Sequence, residues 1–237
     1  KDVSRDGKST VLKSLGGKGR IAAGEYRSSG GINGGGVLVC GSGKVHRASF
    51  GKPGFEQTAI DIVFKPDAPI TKKMTLFGYQ ENTWGRAYLG IYITSKSRIG
   101  VLFQMKLPGE QKKFELLSEP VEISSDRFHT VRVTLESGKM GRIYLDGKLL
   151  AEEQGAFSFS DFKSKPVDQY HPFAQLGSSY INCGVNEPFD GLIAGVSISG
   201  SVNEGGPSAN QAEESRTAVN ILARQIDRAP VIDGKLD

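Results

Sequence analysis

The sequence predicts an all-β domain built as a two-sheet antiparallel jelly-roll sandwich. Three observations predict it. Apolar residues alternate with polar ones at period two in many short stretches. Thirty-one glycines and ten prolines supply tight turns between those stretches. Almost no segment carries the 3.6-residue periodicity of a long helix. Ten or more short strands with glycine-rich turns are the pattern of a sandwich, and their spacing is too irregular for a propeller repeat.

The elements are taken in chain order. Residues 16–43 are glycine-rich and irregular, with one apolar piece, Val37-Leu38-Val39-Cys40, that reads as a strand. Thr58, Ile60, Ile62 and Phe64 share a face with Asp61 opposite, and Lys65-Pro66-Asp67 stops that strand. Met74 to Tyr79 is the next strand. Tyr88 to Thr94 comes after it, with Leu89, Ile91 and Ile93 on one side. Ile99 to Met105 places Ile99, Val101, Phe103 and Met105 together. Phe114 to Leu117 comes next, then Val121-Glu122-Ile123. In 128–135, His129, Val131, Val133 and Leu135 alternate with Phe128, Thr130, Arg132 and Thr134. Asp146-Gly147 between apolar pieces predicts a hairpin, because a type I′ turn needs positive φ at both central residues. In 189–198 the apolar parity changes between Ile193 and Val196, which predicts a β-bulge near Ala194-Gly195.

The composition shifts after residue 200. Residues 1–200 read as the sandwich, 201–216 as a small, polar linker, and 217–237 as a tail leading into a second, truncated module. TAVNILARQI (217–226) fits either a helix or an extended piece.

Charge and hydropathy narrow the function. The net charge is +4, with Lys and Arg interleaved with Asp and Glu, so no basic stripe points to nucleic acid. No apolar run reaches the ~18 residues that span a bilayer, so membrane insertion is not expected. Lys1-Asp2-Val3-Ser4 carries no signal-peptide pattern, and no Asn-x-Ser/Thr sequon is present. Cys40 and Cys183 do not have zinc spacing; the residues alone leave two buried thiols or one disulfide open.

Three stretches carry a resemblance. Phe128-His129-Thr130-Val131-Arg132-Val133 with Ile143-Tyr144-Leu145-Asp146-Gly147-Lys148 resembles the W-H-x-V … Y-x-D-G hairpin of concanavalin A-like lectin/glucanase domains, the laminin G-like branch especially. Phe189 to Val196 resembles that family's last core strand, F-x-G-x-I-x-x-V, and Phe55 to Asp67 its early one. The likeness covers roughly residues 20–200, with Phe128 where tryptophan is usual. Ala229-Pro230-Val231-Ile232-Asp233-Gly234-Lys235-Leu236-Asp237 resembles the start of a family 9-like carbohydrate-binding module. The resemblance implies a concanavalin A-like jelly roll within a larger extracellular or periplasmic protein. It also tilts the cysteines towards a Cys40–Cys183 disulfide, since first and last strands are neighbours in that fold.

Catalysis finds little support in the residues. Family 16 glucanases share the fold and carry Glu-x-Asp-x-(x)-Glu on one strand, so that alternation lines up the carboxylates. The nearest match here, 59–64, keeps Asp61 and lacks both glutamates. No alginate-lyase Gln-Ile-His strand is present. His46, His129 and His171 lack metal-ligand spacing, and His129 reads as a structural residue that hydrogen-bonds locally. Two faint phosphate-loop matches, at Gly7 and Gly41, lack required residues, and no Gly-x-Ser-x-Gly elbow exists.

Binding of a polysaccharide or glycan is the favoured reading, with neighbouring domains of the same chain as further partners. A glycan site needs aromatic platforms for sugar C–H faces and polar groups for hydroxyls. The segment holding Tyr79, Glu81, Asn82, Trp84, Arg86 and Tyr88 has the only tryptophan and reads as the ligand site. The stretches 168–173 and 178–182 form a second polar, aromatic candidate. No cofactor is expected, with calcium left open by the family resemblance; Asn186, Asp190 and Asp168 are its candidate ligands, without EF-hand spacing. The rival readings are a glycoside hydrolase with an atypical carboxylate pair and a structural spacer.

Overall fold

The structure is a computed structural model of the full chain. It describes residues 25–27, 29–31, 37–42, 44, 46–48, 56–80, 87–107, 109–162, 173–179, 186–200 and 219–222. The strands are β1 (Glu25–Arg27), β2 (Val37–Cys40), β3 (His46–Ala48), β4 (Gln57–Pro66), β5 (Met74–Gln80), β6 (Ala87–Ile93) and β7 (Ile99–Leu107). They continue with β8 (Glu110–Leu117), β9 (His129–Glu136), β10 (Met140–Leu145), β11 (Lys148–Gln154), β12 (Phe173–Leu176), β13 (Gly191–Ser199) and β14 (Val219–Leu222). One 3-10 turn, Phe159–Asp161, is the only helical element among the described residues. None of those residues forms a helix long and apolar enough to cross a membrane.

Two antiparallel sheets make the sandwich. One runs β1-β2-β13-β4-β9-β10-β11, with β14 also on β13; the other runs β3-β12-β5-β6-β7-β8. This is the jelly-roll arrangement that the alternation predicts. The β4–β9 register pairs Ile60 with Val133, Ile62 with Val131 and Phe64 with His129. The aliphatic and Phe64 side chains meet Leu89, Ile91, Val101 and Phe103 of the facing sheet in one buried core. Removing such apolar area from water drives the two faces together, at ~25 cal/mol per Å².

The local signals resolve as structure. Asp146 and Gly147 have φ of 51° and 82°, the positive pair a type I′ hairpin needs. The β13–β4 register shifts between Ile193 and Gly195, which is the bulge that the parity change marks. Val121 to Ile123 forms no strand; Val121 instead donates its backbone N–H to Ser97 O at 3.0 Å, and Ile123 is buried.

Two expectations are corrected. The tail does not stand wholly apart: Val219–Leu222 is extended and pairs with Gly195–Ile198 of β13. β2 pairs with β13 only over Gly191–Ile193, so the bulge leaves backbone donors and acceptors beyond it for β14 to satisfy. Cys40 carries a free, buried thiol in the structure, so the disulfide implied by the family resemblance is not formed there; Cys183 lies outside the described residues. The thiol packs in the core and lies 3.9 Å from Leu38 O, a weak hydrogen bond. Burial pushes its pKa far above the ordinary thiol range, so it stays protonated.

Candidate functional site

The six-stranded sheet has one face on the core and one turned away from it. On β6, Ala87, Leu89, Ile91 and Ile93 belong to the core, so Tyr88, Gly90 and Tyr92 face outwards. The register then places three rows of residues across that outer face. Gln80 pairs with Tyr88, Tyr88 with Gln104 and Gln104 with Lys113. Gln175 pairs with Gly78, Gly78 with Gly90, Gly90 with Leu102 and Leu102 with Glu115. Thr75 pairs with Tyr92, and Tyr92 with Gly100. Amide, hydroxyl and phenol groups therefore predominate where the opposite face is aliphatic. Every residue of β5 and β6 is nonetheless buried, so both faces of these strands are covered.

Glycines set the ring geometry. A Cβ on Gly90 would overlap the Tyr88 ring, and one on Gly78 would lie 3.2 Å from the Tyr88 hydroxyl. A Cβ on Gly100 would likewise overlap the Tyr92 ring. Both tyrosines therefore lie flat on the sheet, over backbone that presents no side chain. Tyr88 hydrogen-bonds with Ser179 and Thr75, and burial, reinforced by the nearby Glu187 carboxylate, pushes its pKa well up.

A charged chain borders Tyr92. Its hydroxyl donates to Glu115 at 2.9 Å, and Lys113 donates to the same carboxylate at 2.6 Å. The Lys113 hydrogen bond, aided by Tyr92, holds the Glu115 carboxyl below the usual range despite some burial. Lys73 sits 4.4 Å from the Tyr92 ring centroid and 3.0 Å from Glu187, whose other oxygen accepts from Thr75 at 3.0 Å.

The structure sorts the residues that the sequence put forward. Tyr88 lies on the outer face. Tyr79 does not: it is fully buried in the core, edge-on to Phe159 at 4.8 Å, so its assignment to a ligand site is corrected. It alternates with Gly78 and Gln80, which puts it on the inner side. Glu81, Asn82, Trp84 and Arg86 lie outside the described residues, between β5 and β6 in the sequence. Ser178 is buried in the second candidate stretch; the rest of 168–173 and 180–182 is outside the described residues, except Phe173, whose backbone forms the start of β12. The sequence reading missed Tyr92, Gln175 and Glu115. Tyr92 shares the parity of Tyr88, so the signal was present; the other two meet it only through strand register.

Of the calcium candidates, Asp190 is 2.6 Å from Lys72, and Asn186 pairs through its backbone with Ser179. Asp168 lies outside the described residues. Among the described residues no group of three or more His, Cys, Asp or Glu is placed to hold a metal.

Two further polar groups bear on catalysis. Asp61 lies on the outer face of the other sheet, where Arg132 donates to its two oxygens at 3.2 and 3.3 Å and Ser197 to one at 3.3 Å. His129 is buried between acceptors: Nδ1 is 2.9 Å from Asp146 Oδ2, and Nε2 is 3.1 Å from Ser124 O and 3.3 Å from Ser124 Oγ. The order Ser-His-Asp invites comparison with a nucleophile triad. The Ser124 hydroxyl, however, donates to Asp126 at 2.5 Å. The ring thus ties the segment before β9 to the β10–β11 turn, as expected of a structural histidine.

No protein-family model and no curated protein sequence matches the chain. Solved structures do. The carbohydrate-binding module CBM40 of the Ruminococcus gnavus IT-sialidase, bound to α2,3 sialyllactose, aligns with a TM-score of 0.51 at 21% identity, over 63% of this chain and 78% of that one. The same module without a named ligand gives 0.51 and 21%, over 63% and 79%. Its complex with α2,6 sialyllactose gives the same figures, 0.51, 21%, 63% and 79%. This likeness supports the sandwich fold that the sheets define.

Proposed function

We propose that this chain is a non-catalytic carbohydrate-binding domain of a larger extracellular protein. The observation that supports it most is the outer face of the six-stranded sheet. Tyr88 and Tyr92 lie flat there, bordered by amide and hydroxyl side chains, the residue types that sugar rings and hydroxyls require; both rings are buried, so a sugar would meet them only once the cover over this face opens. The matched module is bound to sialyllactose in two of those structures, which lends support at the level of fold. In this reading Trp84, Glu81, Asn82 and Arg86, which fall between Gln80 and Tyr88 in the sequence, contribute to ligand binding.

The described carboxylates favour binding over hydrolysis. Asp61, the residue nearest to a glucanase motif, is engaged by Arg132 and Ser197 on the opposite sheet. Glu115, with its lowered pKa, is a poor proton donor. The laminin G-like affinity, neighbouring-domain contacts and calcium belong to the same proposal. A glycan-array screen of the purified chain, with calcium and with chelator, tests it. Binding that is lost in Trp84→Ala without loss of fold is expected. Hydrolysis of a bound glycan, or no binding to any glycan, would overturn it.

A further inference from the structure

Part of what buries the outer face of β5 comes from the residues between β12 and β13. Gly177 follows β12, and Phe189 donates its backbone N–H to the Gly177 carbonyl at 2.8 Å. Gly177 in turn donates to Leu76 O at 2.8 Å, and the Phe189 side chain lies in the core. This base is fixed. Beyond it two arms pair with each other: Ser179 and Asn186 exchange backbone hydrogen bonds at 2.9 Å in both directions. The arms lie against the outer face. The Ser178 carbonyl oxygen is 3.5 Å from the point where a Cβ on Gly78 would stand, and Ser179 hydrogen-bonds with Tyr88.

Glu187 ties the arms down, and the closed arrangement carries two costs. Glu187 Oε2 accepts from the Thr75 hydroxyl at 3.0 Å, its Oε1 is 3.0 Å from Lys73 Nζ, and its backbone carbonyl accepts from Thr75 N at 2.8 Å. The first cost is backbone strain: Glu187 has φ of 50°, a left-handed conformation that residues with a Cβ seldom hold. The second is beside the arms, where Gln175 is fully buried. Its Nε2 donates to the Ser178 hydroxyl at 2.6 Å and to the Ser179 carbonyl at 3.3 Å, while its Oε1 has no hydrogen-bond partner among the described residues. A buried amide oxygen in that state has given up its water without replacement. Lifting the arms relieves both costs, because it frees Glu187 to leave the left-handed region and lets water reach Oε1. Few contacts oppose the lift. The side chains of Lys73 and Glu187 are 44% and 32% exposed, so water competes for their ion pair and keeps it weak. Ser178, Ser179, Asn186 and Glu187 bring no large apolar side chain to hold the arms by burial.

We infer that the paired arms Ser178–Ser179 and Asn186–Glu187 form a strap that opens without unfolding the sandwich, latched by Glu187 to Thr75 and Lys73, and that its opening uncovers Tyr88. The strap stands on this geometry; that a sugar is what enters beneath it rests on the glycan reading above.

Hydrogen exchange of the ¹⁵N-labelled chain, without ligand, puts the strap to the test. The backbone amides of Thr75, Ser179 and Asn186 report the strap, and those of the β6–β7 ladder report the sandwich. The strap amides should exchange faster than the ladder and with no dependence on low urea, the mark of local opening. Glu187→Ala should speed them by about tenfold, and Lys73→Met, which leaves the Thr75 bonds in place, by about two- to threefold. Tetranitromethane should nitrate Tyr88 before Tyr79, which lies in the core, with peptide mapping to tell them apart. Strap amides that share the ladder's rate and urea dependence would overturn the inference. So would unchanged exchange in both variants, or nitration of Tyr88 no faster than that of Tyr79. These measurements use no sugar, so their failure leaves the glycan reading standing. A glycan array without binding would instead remove that reading and leave the strap in place.

Discussion

The ring of Tyr88 lies against Gly90, two residues further along β6, so closely that even a methyl group on Gly90 would overlap it. The outer face of the sheet is thus shaped by what Gly90 lacks. Gly90→Ala should force the ring away from the sheet. It should destabilise the domain by about 1–3 kcal/mol, as overpacking does. Gly78→Ala, where the same ring is 3.2 Å from the added carbon, should cost less. Thermal melts of the two variants check the order, and equal melting temperatures would contradict this packing.

Tyr79 and Tyr88 should separate cleanly on mutation. Tyr79→Ala empties a core site between Phe159 and Phe162 and should cost about 3–5 kcal/mol. Tyr88→Phe keeps the ring and removes only the hydroxyl bonded to Ser179 and Thr75, at about 0.5–1.5 kcal/mol. Glycan affinity should fall in Tyr88→Phe and not in variants confined to the core. Chemical denaturation alongside binding measures both.

How legible each feature was in the sequence depends on the range of the interaction. The hairpin at Asp146-Gly147 and the bulge by Ala194 are local backbone matters, and residue type or parity announces them. The outward face of β6 was equally readable, because Leu89, Ile91 and Ile93 claim the inner side. Tyr79 was grouped with Tyr88 because both flank one polar loop, although the strand's alternation turns Tyr79 inwards. An irregularity in the β5–β6 register between Thr75 and Phe77 obscures that alternation at the start of β5. The Asp61–Arg132 pair and the Gln175–Gly78–Gly90 row depend on which strands are neighbours, and no local pattern states that. β14 was hidden by its length: four residues after a polar stretch carry too little periodicity to read.

Asp61 should give the domain an unusual pH dependence. Burial, the largest influence, raises its pKa above the usual 3.8 even with Arg132 beside it. A carboxyl raised in the folded state binds its proton more tightly there than in the unfolded chain. Its contribution therefore declines as pH rises from about the unfolded value through the folded one, then levels off. Asp61→Ala should lose the hydrogen bonds of Arg132, at about 1.5–3 kcal/mol. The loss should be larger near pH 3 than near pH 7. Urea denaturation of both proteins across that range provides the comparison; a loss growing towards neutral pH would contradict the raised value.

Cys40 should be inert in the folded protein. Its buried thiol is held protonated, and only the thiolate attacks an aromatic disulfide reagent. At pH 8 the native chain should leave Cys40 unmodified, while the same chain unfolded without reductant should expose it as a thiol. Peptide mapping locates the labelled residue. A Cys40–Cys183 disulfide found in the unreduced, unfolded chain would show that the family-based pairing forms in solution.

Truncation after Ala218 tests the strand that the composition concealed. β14 pairs four residues with Gly195–Ile198, in the part of the β13 edge that β2 does not reach. Removing it exposes the backbone donors and acceptors of that stretch to water rather than burying them unpaired. The loss should therefore be moderate, about 1–3 kcal/mol, and not a collapse of the sandwich. The core on the β4 side of β13 stays intact, because the β13–β4 ladder runs from Gly191 to Ser199 independently of β14. The freed edge would also become a template for another chain. The truncated protein should accordingly melt several degrees lower and associate more readily in light scattering as its concentration rises. An unchanged melting temperature would mean that β14 adds nothing to the sheet and that the tail is separate from the sandwich, as its composition alone implied.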